Sequence, residues 1–227
     1  MITSKMKVGA GVVCIAYILV QTFQWWVFSQ APAPSLTEDF LFGSAFISLI
    51  RSWIMLFSMF GLLYVFFVIC FSMAETRQVS GLIAFASFFV FFLLEIILRS
   101  VELFYTQIQL PAEYSSTVDP AGRAVLLSYV TQFQNVQFAL YFPLGLSQAI
   151  GSFIVAVSYP IIPRFNYALK AIMLVNGLRL LLRMLTVYAG INLFPGELYD
   201  TLYLPLVYIT FGVTAWWCFR SSGRETV

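Results

Sequence analysis

Six long runs of apolar residues divide the chain, and short polar segments separate them. The runs cover roughly residues 8–28, 44–73, 81–104, 138–160, 167–189 and 203–220. Each is close to the ~20 residues that an α-helix needs to cross a hydrocarbon core of ~30 Å. The pattern predicts an all-α membrane protein, with six transmembrane helices that form one polytopic domain over residues 1–227.

Composition agrees with this class. Only 10% of the residues are charged, against about 25% in soluble domains. The chain contains no His, which excludes His-ligated haem, the common zinc and di-iron sites, and nucleophiles activated by His. We therefore expect no cofactor and no metal, and the net charge of +2 gives no indication of nucleic-acid binding.

Charges in the connecting segments are distributed asymmetrically, which predicts the topology. With the N-terminus inside, seven basic residues lie on the inner side and one on the outer side. The inner ones are Lys5, Lys7, Arg77, Arg164, Lys170, Arg220 and Arg224. By the positive-inside rule both termini are cytoplasmic, in what we expect to be a bacterial inner membrane. The first run exceeds the 7–15 residues of a signal h-region, so we expect it to remain as an uncleaved helix.

The second run is too long for a simple span. Ser35 or Thr37 can cap a helix whose first turn holds Glu38 and Asp39. The apolar pattern then continues to Met73. It predicts either one protruding helix or a short interfacial helix followed by a span.

Residues 105–137 form the longest predicted loop, on the outer side. Within it, Asp119 is a candidate N-cap with Pro120 in the first helical position. Apolar and polar residues then alternate at helical spacing over 120–137. We expect an amphipathic helix here before helix four, either on the outer surface or leading directly into that span. Pro143 should kink or restart the fourth span.

Six charged residues lie within the predicted spans, on polar stripes of three helices. The stripes consist of Glu95, Arg99 and Glu102 on the third span, Asn176, Arg179 and Arg183 on the fifth, and Arg51 with Ser44, Ser48 and Ser58 on the second. At about 1.5 Å per residue, Glu95 and Arg179 lie about 20 Å from the inner boundary. All six charges therefore belong to the outer half of the membrane.

These charges cannot face acyl chains without a large cost. Even the mildest scale assigns about 2.5–3.5 kcal/mol to a charged side chain at the bilayer centre. We expect the charges to face one another or a water-filled cavity, with the two glutamates bridging to arginines of neighbouring helices. Four Arg against two Glu leaves an excess of +2. Asp200, at the outer end of the sixth span, is a further candidate counter-charge.

An excess of buried cation favours an anionic ligand, because an uncompensated buried charge is costly. The planar guanidinium matches carboxylate and phosphate. The predicted function is binding, sensing or transport of an anionic or amphipathic small molecule or lipid head group. The predicted ligand-binding residues are Arg51, Glu95, Arg99, Glu102, Asn176, Arg179 and Arg183. Tyr188, Tyr199 and Tyr203 are typical of an interfacial aromatic belt, although they are also able to line a cavity mouth.

Two other classes of function stay open. In one, the protein is a structural or assembly subunit whose charges form a ligand-free internal salt-bridge network. In the other, it is a membrane-embedded lipid or isoprenoid enzyme with Glu95 or Glu102 as general acid or base. We favour a protein that is not an enzyme and assign no catalytic residue. The expected partners are membrane lipid and a small anion, without nucleic acid, and a homo- or hetero-oligomer is left open.

The layout resembles a broad group of small bacterial inner-membrane proteins with six helices and no assigned function. The shared traits are the outer loop after helix three, the amphipathic lead into helix four and the polar helix five. The likeness extends over most of the chain. It includes no diagnostic motif, so it implies no residue role and no activity.

Overall fold

The fold was analysed in a computed structural model that describes residues 2–31, 36–191 and 196–223. Its elements are α1 (Ser4–Phe28), α2 (Leu36–Gly43), α3 (Phe46–Ala74), α4 (Gln78–Val101), a π-helical segment (Glu102–Gln109), α5 (Leu110–Ser116), α6 (Pro120–Ser158), α7 (Asn166–Ala189) and α8 (Gly196–Ser222). The segments from α4 to α5 follow one another without a break. The described residues thus form seven continuous helices and no strand.

Six of these helices are long and apolar enough to cross a membrane: α1, α3, the continuous helix from α4 to α5, α6, α7 and α8. The predicted all-α class and the count of six spans are therefore confirmed. Large apolar side chains also cover the outside of the bundle, and Leu19 of α1, for example, is 66% exposed. Such a surface is suited to contact with acyl chains rather than water.

The six long helices form a closed ring, in which each helix packs against two neighbours. The order around the ring is α1, α3, α4, α6, α7, α8 and back to α1. The seam between α7 and α8 is the least closely packed of the six. Helix α4 is not a neighbour of α1 or α8, so an interaction between α4 and either of them has to cross the interior.

One half of the ring, at the end where α1 begins and α8 ends, is filled by a large hydrophobic core. Phe88 of α4 is fully buried and its ring centroid lies 4.1 Å from that of Phe66 on α3. Gly151 of α6 lies against the same ring, since a Cβ there would be 2.9 Å from Phe88. The buried indole of Trp217 donates to Asn166 Oδ1 at 2.8 Å, which joins α8 to the start of α7. This filled half leaves the ionised stripes to the other half of the ring.

At the outer end, by which we mean the end where α2 and α5 lie, the second predicted run is two helices. The chain breaks between α2 and α3, and Ser44 lies in that break rather than on the stripe of α3. Phe40 of α2 packs with Leu110, Leu126 and Val130 in a separate hydrophobic cluster. Of the two predicted alternatives, the structure has the short helix followed by a span.

The predicted long loop over 105–137 is wrong. The helix that begins with α4 continues to Ser116, and only residues 117–119 separate it from α6. Asp119 caps α6 as predicted, because its carboxylate accepts from the backbone N–H of Ala121 and Gly122. Helix α6 then continues through Pro143 without a restart.

The continuous helix from Gln78 to Ser116 and helix α6 contain 39 residues each. Each is therefore about 58 Å long, nearly twice the ~30 Å of a hydrocarbon core.

The close approach of α3 and α4 gives a test of the fold. A methyl group on Gly81 would lie 2.6 Å from the Cβ of Ala74 and 2.7 Å from the carbonyl oxygen of Cys70. Neither atom belongs to a flexible side chain, so Gly81→Ala should destabilise the protein by about 1–3 kcal/mol. Thermal unfolding in detergent measures this. The matched control is Gly212→Ala in α8, where a Cβ meets nothing within 4 Å and a gain of about 0.4–1 kcal/mol is expected. Equal melting temperatures for the two variants would contradict this packing.

Candidate functional site

The polar stripe of α4 forms a clamp in which one arginine holds two carboxylates. Arg99 Nε and Nη2 each lie 3.0 Å from Glu95 Oε1. Arg99 Nη1 lies 2.9 Å from Glu102 Oε2 on the other side. The Glu95 side chain is only 10% exposed, whereas those of Arg99 and Glu102 keep 21% and 20%. We call these three residues the α4 clamp.

Glu102 also links the α4 clamp to α3. Its Oε1 lies 3.8 Å from Nη2 of Arg51, a buried residue that also donates to Ser52 Oγ at 3.0 Å. The Arg51 guanidinium lies 4.5 Å from the centroid of the Phe28 ring at the end of α1. Gln107 Nε2 donates to the same carboxylate oxygen at 3.3 Å. The Glu102 carboxylate therefore contacts Arg51 of α3, Arg99 of α4 and Gln107 of the π-helical segment.

The π-helical segment explains how Gln107 reaches Glu102. In a π-helix the backbone hydrogen bonds join residues five apart, so positions 102 and 107 lie above one another. Three buried atoms around this pair have no hydrogen-bond partner in the described part of the chain: Ser48 Oγ, Arg51 Nε and Gln107 Oε1. Buried polar atoms of this kind are usually satisfied by ordered water.

The stripe of α7 differs from the α4 clamp because it contains no acid. Asn176 is buried, donates from Nδ2 to Ser152 Oγ of α6 at 2.9 Å, and accepts from Arg179 Nη2 at 3.2 Å. Arg179 is half-buried, and Arg183 one turn further is exposed. Neither arginine has an acidic partner among the described side chains, which do not include that of Asp200.

A third polar group extends from α1 and α8 into the interior. Gln21 of α1 is 1% exposed. Its Nε2 donates to the Tyr17 hydroxyl at 2.6 Å, and its Oε1 accepts from the Tyr203 hydroxyl of α8 at 3.2 Å. Tyr203 therefore lies inside the ring at this level and does not belong only to an interfacial belt.

These tyrosines lie near both charged stripes. Tyr203 is close to Arg179 and Arg183 of α7 and to Glu95 and Arg99 of α4. Tyr17 of α1 is likewise close to the two α4 residues and to Arg179. Because α4 is not a neighbour of α1 or α8, this proximity is across the interior of the ring.

Two tyrosines of this part of the chain are only partly covered. Tyr203 is 36% exposed although its hydroxyl bonds to a fully buried glutamine. Tyr141 of α6 keeps a similar exposed fraction.

The excess positive charge predicted from the sequence is therefore located on α7. Arg51 and Arg99 are balanced by Glu95 and Glu102, so this group is neutral. Of the two glutamates, only Glu102 reaches an arginine of a neighbouring helix, because Glu95 bonds to Arg99 of its own helix. Glu95 and Arg179 form no ion pair with each other. We call Arg179 and Arg183 the α7 arginines.

Sequence reasoning missed several members of this interior group: Tyr17, Gln21, Gln107, Tyr141 and Ser152. Two of them had a detectable signal, because Tyr17 and Gln21 are spaced i, i+4 within an otherwise apolar run. The partnership of Ser152 with Asn176 had none, since it depends on which helices are neighbours.

Comparison with known proteins found no match: no protein-family model, no curated protein and no solved structure matches the chain. No residue role is therefore carried over from a relative. What the site can do follows from its own contacts and charges.

The α4 clamp predicts a large loss of stability when its central cation is removed. Arg99→Gln leaves two carboxylates without their partner in an apolar bundle, and breaking such a buried pair costs about 3–5 kcal/mol. Thermal unfolding in detergent should show a clear decrease in melting temperature. Arg77→Gln, at an exposed position in the α3–α4 turn, is the control and should change stability by less than about 0.5 kcal/mol. If both variants unfold at the wild-type temperature, the clamp is not a stabilising contact.

Proposed function

We propose that this membrane protein binds an anionic or amphipathic small molecule or lipid head group inside the outer half of the helical ring. The observation that carries the proposal is the charge balance. The α7 arginines have no acidic partner among the described side chains, while Arg51 and Arg99 are balanced by Glu95 and Glu102. An uncompensated cation away from water is costly, and an anion removes that cost.

The contacts of Arg179 support its role as the main ligand contact. Among the described residues, only Nη2 of Arg179 has a hydrogen-bond partner, which is Asn176 Oδ1. The N–H groups on Nε and Nη1 remain for a ligand, and a guanidinium donates in pairs to carboxylate or phosphate. Asn176 is itself held by Ser152 of the neighbouring helix. In this proposal Asn176 positions Arg179, and Arg183 adds the second charge one turn further out.

The α4 clamp and Arg51 have a supporting role in this proposal. Arg99 forms ion pairs with both Glu95 and Glu102, and neither carboxylate forms an ion pair with the α7 arginines. Arg51 meanwhile ties α3 to Glu102. With both termini in the cytoplasm, as the loop charges indicate, the site lies in the outer leaflet of what we propose to be a bacterial inner membrane. Binding, sensing and transport all begin with this same step.

Two specific observations favour other functions. The complete pairing of Arg99 is what a structural subunit with a ligand-free salt-bridge network requires. For an enzyme, a carboxylate oxygen has to be free. Both oxygens of Glu102 are engaged, whereas Glu95 uses only Oε1 in its contact with Arg99. A general acid or base would therefore be Glu95.

Arg179→Gln tests the proposal through lipid-dependent thermal stability in a neutral detergent. Phosphatidylglycerol should raise the melting temperature of the wild type, and zwitterionic phosphatidylcholine should not. A ligand at about 100 times its Kd adds about 2.7 kcal/mol. Arg179→Gln should lose this increase, and Arg183→Gln should reduce it. Inorganic phosphate, added in a separate experiment, shows whether a free anion replaces the lipid.

The lipid-free samples provide a second, independent result. Removing the half-buried Arg179, which has no acidic partner among the described side chains, should leave stability unchanged or slightly raised, in contrast to the loss expected for Arg99→Gln. Arg77→Gln serves as a control that should keep the full response to lipid. An equal response to phosphatidylglycerol in Arg179→Gln and wild type would refute the proposal. A decrease in lipid-free stability in Arg179→Gln would support the structural alternative instead.

A further inference from the structure

The seam between α7 and α8, the least closely packed of the six, is held together at its inner end. There the buried indole of Trp217 donates to Asn166 Oδ1 at 2.8 Å. The ring of Trp216 also meets that of Phe165, just before α7, with 6.4 Å between the ring centroids. These contacts tie the end of α8 to the start of α7, on the side of the large hydrophobic core.

The outer half of α7 packs against α6. Between residues 178 and 189 the buried side chains are Leu180 and Met184, and both form a hydrophobic cluster with Ala149 of α6. Arg179 is one residue from Leu180 and is therefore about 100° away around the helix. It is close to Tyr203 of α8, which places it on the side of α7 toward α8. Arg179 thus borders the seam rather than the contact with α6.

The outer half of α8 packs against α1 instead. The Tyr203 hydroxyl donates to Gln21 Oε1 at 3.2 Å, and the hydroxyls of Tyr208 and Thr22 lie 2.7 Å apart. Between residues 201 and 213 only Val207 is buried. The outer halves of α7 and α8 are therefore each packed against a different helix.

One stripe of α8 shows how the seam changes along its length. Trp217 faces α7, as its bond to Asn166 shows. Thr210 and Leu206 precede it by seven and eleven residues, and these spacings place all three on one face of the helix. Trp217 is 1% exposed, whereas Thr210 and Leu206 are half-buried. The stripe that faces α7 therefore loses its cover toward the outer end of the bundle.

We propose that an anionic phospholipid of the outer leaflet binds through the outer half of this seam, with its phosphate on the α7 arginines and its acyl chains left in the bilayer. This rests on the proposed function, and it names the ligand class and the route of entry. The arginines belong to one of the two helices that form the seam, so the head group has no need to cross the ring.

The depths of the α7 arginines suit this ligand. Counted at about 1.5 Å per residue from Asn166, Arg179 lies about 20 Å and Arg183 about 26 Å along α7. A hydrocarbon core is ~30 Å thick, so Arg183 is near the level of the outer-leaflet phosphates and Arg179 is one turn deeper. Arg183 is exposed and Arg179 is half-buried. A head group that moves in from the leaflet therefore meets the exposed cation first and the half-buried one next.

Leu206→Trp is the central test, because an indole at this position fills the seam. Thermal-shift titrations in a neutral detergent compare phosphatidylglycerol with glycerophosphoglycerol, which is the same head group without acyl chains. Leu206→Trp should weaken phosphatidylglycerol binding about tenfold, since the chains lose their way out between the helices, and should leave glycerophosphoglycerol binding unchanged. The matched control is Leu19→Trp, the same substitution at an exposed position of α1. Both positions lie about 22–24 Å from the inner ends of their helices, and the control should behave like wild type.

A second seam variant and the arginine variant separate the two proposals. Thr210→Leu adds apolar bulk one turn further in and should weaken phosphatidylglycerol in the same direction, which keeps the test decisive if Leu206→Trp fails to fold. Arg179→Gln should weaken both probes. If the seam variants bind phosphatidylglycerol like wild type, or lose both probes equally, the lateral route is refuted, and loss of both probes in Arg179→Gln still supports the anion site. If Arg179→Gln binds both probes like wild type, the anion site itself fails.

Discussion

The contact of Arg99 with Glu95 and Glu102 is the interaction on which the polar interior depends. Three charged groups on one helix would each be costly in a hydrocarbon surrounding. Paired within the helix, they are neutralised except for one negative charge, and Arg51 of α3 balances that charge through Glu102. The pairing also joins α3 to the continuous helix that begins with α4, because Arg51 Nη2 lies 3.8 Å from Glu102 Oε1.

The local character of this pairing determines where the remaining charge lies. Contacts between residues three or four apart form as soon as a helix forms and need no particular neighbour. The carboxylates of α4 are occupied by these local contacts, and the α7 arginines have no acidic partner among the described side chains. The six charges within the predicted spans therefore form a neutral group on α3 and α4 and a cationic group on α7.

The features that follow from local geometry could be predicted from the sequence. The number of spans follows from the thickness of a bilayer, and the single stripe of Glu95, Arg99 and Glu102 from their i, i+4, i+7 spacing. The predicted bridge from Glu95 to a neighbouring helix was wrong, because Arg99 of the same helix is its partner. The extension of the α4 helix to Ser116 could not be predicted in this way, because hydropathy falls where the membrane ends while backbone hydrogen bonding continues. The π-helical segment, the inward direction of Tyr203 and the bond between Ser152 and Asn176 depend on tertiary packing, which periodicity does not encode.

The apolar outer surface of the ring favours a lipid over a soluble anion as the proposed ligand. A soluble anion that enters the bundle from water has to give up its hydration before it meets Arg179, and this loss opposes binding. A lipid whose head group enters the bundle would keep its tail in apolar surroundings, so only the head group would lose its contact with water.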